Sequence, residues 1–233
     1  MLEKIIFIDI ETVPQYHYYN EMSPELQSLW DQKYDHLNME HDTSAEAYQD
    51  KAGLYAEFGK IVVIGVGYFK KSGEKLSFRM TALKNHDEKE LLEQFKALLV
   101  SKFPHYSYRF CAHNGKEFDL PYLCRRMMVQ KMELPLHLNL RGKRPWEIKH
   151  LDTLELWKFG EFRHYASLNL LSQILDIPTS KTDMGGSKVA GKYYEEQALD
   201  EIASYCLGDV LSTARVYQCL SSLPVVEDKD VAV

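Results

Sequence analysis

Residues 4–14 read Lys-Ile-Ile-Phe-Ile-Asp-Ile-Glu-Thr-Val-Pro (KIIFIDIETVP). The run 4–10 is β-branched and aromatic and too short for a core helix, so it reads as a buried strand. Pro14 cannot donate to a ladder, so the strand should end near it. Side chains two apart in a strand share a face, which points Asp9 and Glu11 the same way from the end of an otherwise apolar segment. Two anions at that spacing repel each other and are costly to desolvate. A divalent cation removes the conflict, because Mg²⁺ and Mn²⁺ prefer carboxylate oxygens. Two solvated acids at a strand end would give the same letters, so the pair needs further ligands elsewhere in the chain.

Working outward, residues 61–69 (IVVIGVGYF) form a second predicted strand. A turn around Gly73 leads to a third at 75–82, which alternates. Asp87 opens a helix through about residue 101. Its apolar residues Leu91, Leu92, Phe95, Leu98 and Leu99 recur at spacings of three and four and share a face. A fourth strand spans 108–113, a helix follows over 118–132, and a short strand covers 149–151. Helices are expected at 167–175 and 195–220, with a polar loop at 180–192 between them. Strand, hairpin, then alternating helix and strand give an α/β class with a mixed central sheet flanked by helices. Residues 15–58 are longer than an ordinary connection and carry only weak helical patterning, apart from a helix start at Ser23-Pro24. They are expected to run over the surface, functional or partly mobile. One domain over 1–223 is the simplest division of 233 residues, with an acidic, disordered tail at 224–233.

Two further acidic positions fall at element edges. Asn114-Gly-Lys-Glu-Phe118-Asp119 follows the fourth strand and starts a helix. Asp119 there serves equally as a ligand or as a helix cap, and Asn114-Gly115 as a turn. Tyr205-Cys-Leu-Gly-Asp209 lies in the long helix, where residues i and i+4 are neighbours. Its surroundings are apolar, so Asp209 would be expensive to bury without a cation or partner.

Together and in this order the three segments resemble the three motifs of the DEDD exonuclease superfamily, which has a ribonuclease H-like fold. The first motif is Asp-x-Glu, here Asp9 and Glu11. The second is Asn-x(2–3)-Phe/Tyr-Asp, here Asn114, Phe118 and Asp119. The third, in the tyrosine branch, is Tyr-x3-Asp, here Tyr205 and Asp209. The histidine branch would need His where Ser204 stands. The segments LDTLELWK, SLNLL and LDIP between the second and third motifs resemble the same family. The likeness is nearest to stand-alone proteins similar to the proofreading exonuclease domain of family B DNA polymerases, whose first motif often reads Asp-x-Glu-Thr-x-Pro.

The resemblance implies 3′–5′ hydrolysis of single-stranded nucleic acid, DNA ahead of RNA, with two divalent cations, Mg²⁺ or Mn²⁺. It implies that Asp9 bridges both ions. Glu11 and Asp209 complete the site of the attacking water, and Asp119 serves the other ion. Tyr205 orients the water, since a phenol is a better orienter than base at neutral pH. The main chain near Thr12, and Asn114, position the terminal nucleotide. Phe118 packs under the site or against a base.

Composition limits the alternatives. The apolar run 61–69 is far short of the roughly 20 residues a membrane span needs. The N-terminus enters a strand directly without signal-peptide features, so no membrane and a cytoplasmic location are expected. Cys111, Cys124, Cys206 and Cys219 lack metal spacing and are expected as buried free thiols. The net charge of −6 argues against broad nucleic-acid binding. Residues 116–149 nevertheless hold eight Lys/Arg against four Asp/Glu. That stretch, from Arg125 to Lys149 especially, suits the phosphate backbone of a single strand. Two rival readings remain. An aspartate-nucleophile phosphatase would want Asp-x-Asp at the first strand, which Glu11 does not supply. A catalytically inactive nucleic-acid-binding module of the same fold would keep the shape without needing all four carboxylates and the tyrosine.

Overall fold

The computed structural model describes residues 2–37, 39–105, 107–161, 163–178 and 185–233. Six strands form one mixed sheet in the order β5-β4-β1-β2-β3-β6. These are β1 (Ile5–Pro14), β2 (Gly59–Ser72), β3 (Lys75–Lys84), β4 (Arg109–Ala112), β5 (Leu151–Asp152) and β6 (Val231–Ala232). The hairpin β2–β3 pairs antiparallel with β1, and β4 and β5 extend the other edge in parallel.

Alternation along β1 divides the core into two layers. Ile6, Ile8 and Ile10 face α3 (Glu88–Lys102) and α4 (Asp119–Val129). Ile5 and Phe7 face α8 (Leu199–Leu220) instead, as does Val13 beyond them. Asp9 and Glu11 therefore fall in the row that meets α8. The helices α5 (Thr153–Lys158) and α6 (Leu168–Ile174) pack on the flank of α8.

Three expectations change. Residues 15–58 are neither bare nor loose: α1 (Pro24–Leu37) and α2 (Ser44–Lys51) enclose a core of their own. Trp30 stacks edge-on against Tyr48 and Phe58, and its Nε1 donates to the Ser44 carbonyl at 2.7 Å. Aromatic contacts at irregular spacing hold this unit, which is why no helical period shows in its sequence. The acidic tail is ordered rather than disordered. Buried Arg215 donates to the Val226 carbonyl and to Asp228, and buried Gln218 exchanges hydrogen bonds with Pro224 and Val226. β6 then pairs with β3 through Phe78 and Arg79. Buried polar groups on α8 need partners, and the tail supplies them. The loop expected at 180–192 ends early: residues 180–184 lie outside the described set, a 3-10 turn follows at Gly186–Lys188, and α7 (Val189–Tyr194) starts directly after it.

A buried ion pair clamps the end of the 15–58 unit to the core. Arg126 meets Glu88 through Nε at 2.8 Å and Nη2 at 2.5 Å. Arg126 also donates to the Ala56 carbonyl and to Gln15, while Glu88 accepts from the Ile61 amide and Gln130. Removing one partner strands a charge among satisfied neighbours. Glu88→Ala is expected to cost about 3–5 kcal/mol, read from the urea midpoint. A loss below about 1 kcal/mol would contradict the clamp.

Candidate active site

The site is built where β1 outlasts its parallel neighbour. β4 pairs with β1 only as far as Phe7, so the Ile10 amide has no strand beside it there. Asp119, at the first position of α4, accepts that amide at 3.1 Å. The helix start and the strand end are thus joined by one carboxylate. The preceding turn needs Asn114 in the left-handed region (φ 61°), which Asn tolerates well. Asp152 holds this turn by accepting the amides of Asn114 and Lys116 at 2.9 and 3.0 Å. The same carboxylate caps α5 through the Leu154 amide.

On the other face, Tyr205 and Asp209 lie one turn apart on α8, and the phenol beside the carboxylate favours its ionised form. Asp9, Glu11, Thr12, Phe118, Tyr205 and Asp209 all line one cavity of about 350 Å³. Gln49, Asp50, Gly53 and Leu54 of the 15–58 unit form another wall, and Tyr165, Gly186 and Ala190 complete it. Gly53 is held in place because its carbonyl accepts from the hydroxyls of Thr12 (2.8 Å) and Tyr122 (2.9 Å). Asp119 sits behind this surface, 4% exposed. Asn114 does not line the cavity; its observed part is the turn.

The electrostatics are those of crowded, buried anions. Burial pushes the Asp9 carboxyl well above its ordinary range, and Glu11, Asp119 and Asp209 push it further. Glu11 is raised by burial and then by Asp209 and Asp119. Asp119 is raised by burial to about 7, and burial raises Asp209 as well. The Tyr205 hydroxyl is pushed up by burial and by Asp209, so it stays protonated and acts as a donor. Asp9 Oδ2 is buried without a hydrogen-bond partner among the described residues. A sealed, unpaired carboxylate oxygen within reach of other acids fits a cation-binding group.

Two contributors went unnoticed at the level of sequence. Gly65 lies directly opposite Asp9 in the β1–β2 ladder. A Cβ there would come within 2.8 Å of both Cys206 Sγ and Val210 Cγ2, so its absence lets α8 approach the sheet. The pair of glycines in 61–69 carried that signal, since a glycine inside a buried strand marks close backbone approach. Cys206 is the other. Ligand atoms of Asp9, Glu11 and Cys206 lie within 4.8 Å of one another. Burial raises the thiol strongly, and it donates to the Asp9 carbonyl, so it serves as a neutral neighbour rather than a thiolate ligand. All four cysteines are free, with Cys111 and Cys206 buried and the other two partly so.

A family model described as a predicted 3′–5′ exonuclease related to the exonuclease domain of PolB matches residues 54–224. The matched span takes in Asn114, Phe118, Asp119, Tyr205 and Asp209 and begins beyond Asp9 and Glu11. A DNA polymerase of Pyrococcus horikoshii is 26% identical over 152 residues, covering 63% of this chain and 12% of the relative. A DNA polymerase of Pyrococcus glycovorans is 24% identical over 152 residues, covering 63% and 19%. The chain thus spans a fifth or less of the length of these relatives. Among solved structures, a family B DNA polymerase from Pyrobaculum calidifontis matches with a TM-score of 0.51 at 16% identity, over 90% of this chain and 23% of that one. That likeness shows the fold: a ribonuclease H-like mixed sheet flanked by helices. Among the described residues, no helix is long and apolar enough to cross a membrane.

The raised carboxyls fix the sign of a pH dependence. In the folded chain they keep protons that the unfolded chain releases above about pH 4. Their contribution therefore destabilises the fold progressively from about 4 up to about 7, where Asp119 titrates. Without added cation, the difference in thermal midpoint between wild type and Asp9→Asn should widen against the wild type across that window. Mn²⁺ should restore the wild type most at the upper end, because binding needs deprotonated carboxylates. A difference that stays flat with pH would contradict the crowding.

Proposed function

The chain belongs to the family of predicted 3′–5′ exonucleases related to the exonuclease domain of PolB, and on that footing we propose that it trims single-stranded nucleic acid from its 3′ end by metal-dependent phosphodiester hydrolysis. The observation that carries the proposal is the buried, unpartnered Oδ2 of Asp9 beside three further carboxylates in a cavity of nucleotide-compatible size. DNA is the favoured substrate, because the relatives are DNA polymerases.

Asp9, Glu11, Asp119 and Asp209 would hold the two ions, Mg²⁺ or Mn²⁺. Bound there, the ions would supply a lowered pKa for water and neutralise charge on the attacking and leaving oxygens. Asp9 stands in the middle of the set, since Glu11, Asp119 and Asp209 all act on it. Tyr205, protonated and one turn from Asp209, would present its hydroxyl to the attacking water and orient a lone pair toward phosphorus. The Thr12 hydroxyl is engaged with Gly53, which leaves the main chain of this stretch to meet the terminal nucleotide. Phe118 lines the cavity and packs on Tyr122 at 5.4 Å, so its ring both supports the wall and faces the substrate space.

The test is stepwise shortening of 5′-labelled single-stranded DNA and RNA with Mg²⁺ or Mn²⁺. Asp9→Ala and Asp209→Ala should each lose more than about a hundredfold in rate, beyond what loss of a supporting residue costs. Tyr205→Phe should lose roughly 10- to 100-fold and retain cation binding. Shortening that survives in EDTA or in both alanine variants would overturn the proposal. Binding of strands without any shortening would leave an inactive binding module instead.

A further inference from the structure

A second cavity, of about 460 Å³, opens at the opposite end of the sheet. Its walls come from the start of β4, the segment after α4 and the approach to β5. Arg109, Lys143 and Lys149 surround it, with Glu147 the acid among its lining residues. None of the three cations forms an ion pair among the described residues. Glu147 is turned away in part, since its Oε2 accepts the Arg144 amide at 2.7 Å. The floor is rigid and neutral. His150 takes the Phe110 amide on Nδ1 and meets the His137 carbonyl with Nε2, and burial lowers it to about 4. Beside the rim, Trp146 is 75% exposed, with the Arg144 guanidinium 5.5 Å from its ring.

Three cations around a cavity, with no ion pair among the described residues and in a chain of net charge −6, call for an anion. The exposed indole of Trp146, the neighbour in sequence of the lining residue Glu147, suits an unpaired base, which stacks on aromatic faces regardless of its identity. We propose that this cavity holds a phosphodiester of the substrate strand, several nucleotides from the bond that is cut. The assignment rests on the exonuclease reading for its substrate. Arg109 is level with Ile5 in the parallel ladder, four residues before Asp9. That places the cavity roughly 13 Å back along the strand direction and one or two strands aside. About four or five nucleotides at helical rise span the distance.

Binding is to be measured by fluorescence anisotropy on an Asp9→Asn background, so that strands persist, using single-stranded DNA of about 3 and about 16 nucleotides. Lys143 and Lys149 are exposed, so Lys143→Ala/Lys149→Ala tests the site without threatening the fold. The double variant should lose roughly tenfold in affinity for the long strand and much less for the short one. Its salt slope on the long strand should fall by about 1.4, for two lost phosphate contacts on single-stranded nucleic acid. Lys70→Ala/Lys71→Ala, on the β2–β3 hairpin, should leave both unchanged. Equal losses on both lengths, or an unchanged long-strand affinity, would overturn the proposal. So would saturation by inorganic phosphate with no effect on strand affinity. The two readings fail separately. If the wild type cuts nothing yet the double variant loses long-strand affinity, the cavity stands and the exonuclease reading falls. If the wild type cuts and the variant binds long strands normally, the reverse holds.

Discussion

Negative charge packed into the middle of a fold is the constraint around which this structure is arranged. Two charges about 4 Å apart repel by roughly 4 kcal/mol at an effective dielectric near 20. Four carboxylates crowded this closely, with Glu11, Asp119 and Asp209 all raising Asp9, cannot all ionise inside a domain whose whole stability is on the order of 5–15 kcal/mol. The protein answers with protons, with hydrogen bonds where the backbone offers them, and with room for cations. Asp119 takes the Ile10 amide, the protonated Tyr205 hydroxyl stands beside Asp209, and Asp9 keeps one oxygen unpaired among the described residues. The unpaired oxygen is the cost left for a ligand to offset.

The crowding depends on how closely a helix can lie on a sheet. Gly65 opposite Asp9 and Gly67 opposite Phe7 remove side chains from the face that α8 covers. A Cβ at Gly67 would meet Phe78 and Val210 within 2.8 Å. With these two positions bare, the i, i+4 pair of α8 comes down beside the last turns of β1. Larger residues would fill the layer with apolar contact, gain hydrophobic burial, and separate Tyr205 and Asp209 from Asp9. Part of the packing energy of this layer is given up so that charged groups can meet.

The legible part of the site followed from two periodicities. A period of two put Asp9 and Glu11 on one side of β1, and a period of 3.6 put Tyr205 over Asp209; both are local and survive without knowledge of the fold. The sheet's hairpin and the apolar face of α3 were legible for the same reason. What escaped was non-local. The 15–58 unit is held by Trp30, Tyr48 and Phe58, which meet from different turns and leave no period. The tail looked disordered from its charge, because the cation that receives it, Arg215, lies in another element. Asn114, placed at the nucleotide by resemblance, also makes the turn that Asp152 secures, a partner 38 residues away and so invisible to local pattern.

These non-local pieces also decide what the cavity can admit. Leu54 and Gly53 reach the site only because the Glu88–Arg126 clamp fixes the end of the 15–58 unit, and Thr12 and Tyr122 hold the Gly53 carbonyl. The tightest polar network of the interior thus acts on the cavity wall rather than on the carboxylates. The sheet, meanwhile, is polarised end to end. Its parallel strands β1 and β4 run from the cations around Arg109 toward the acids at Asp9 and Glu11. A polyanion approaching a chain of net negative charge is drawn to the basic end and repelled from the acidic one until cations neutralise it. On the proposed reading, cation loading would be a precondition for the strand's terminus to enter, and the basic end would retain the rest of the strand meanwhile.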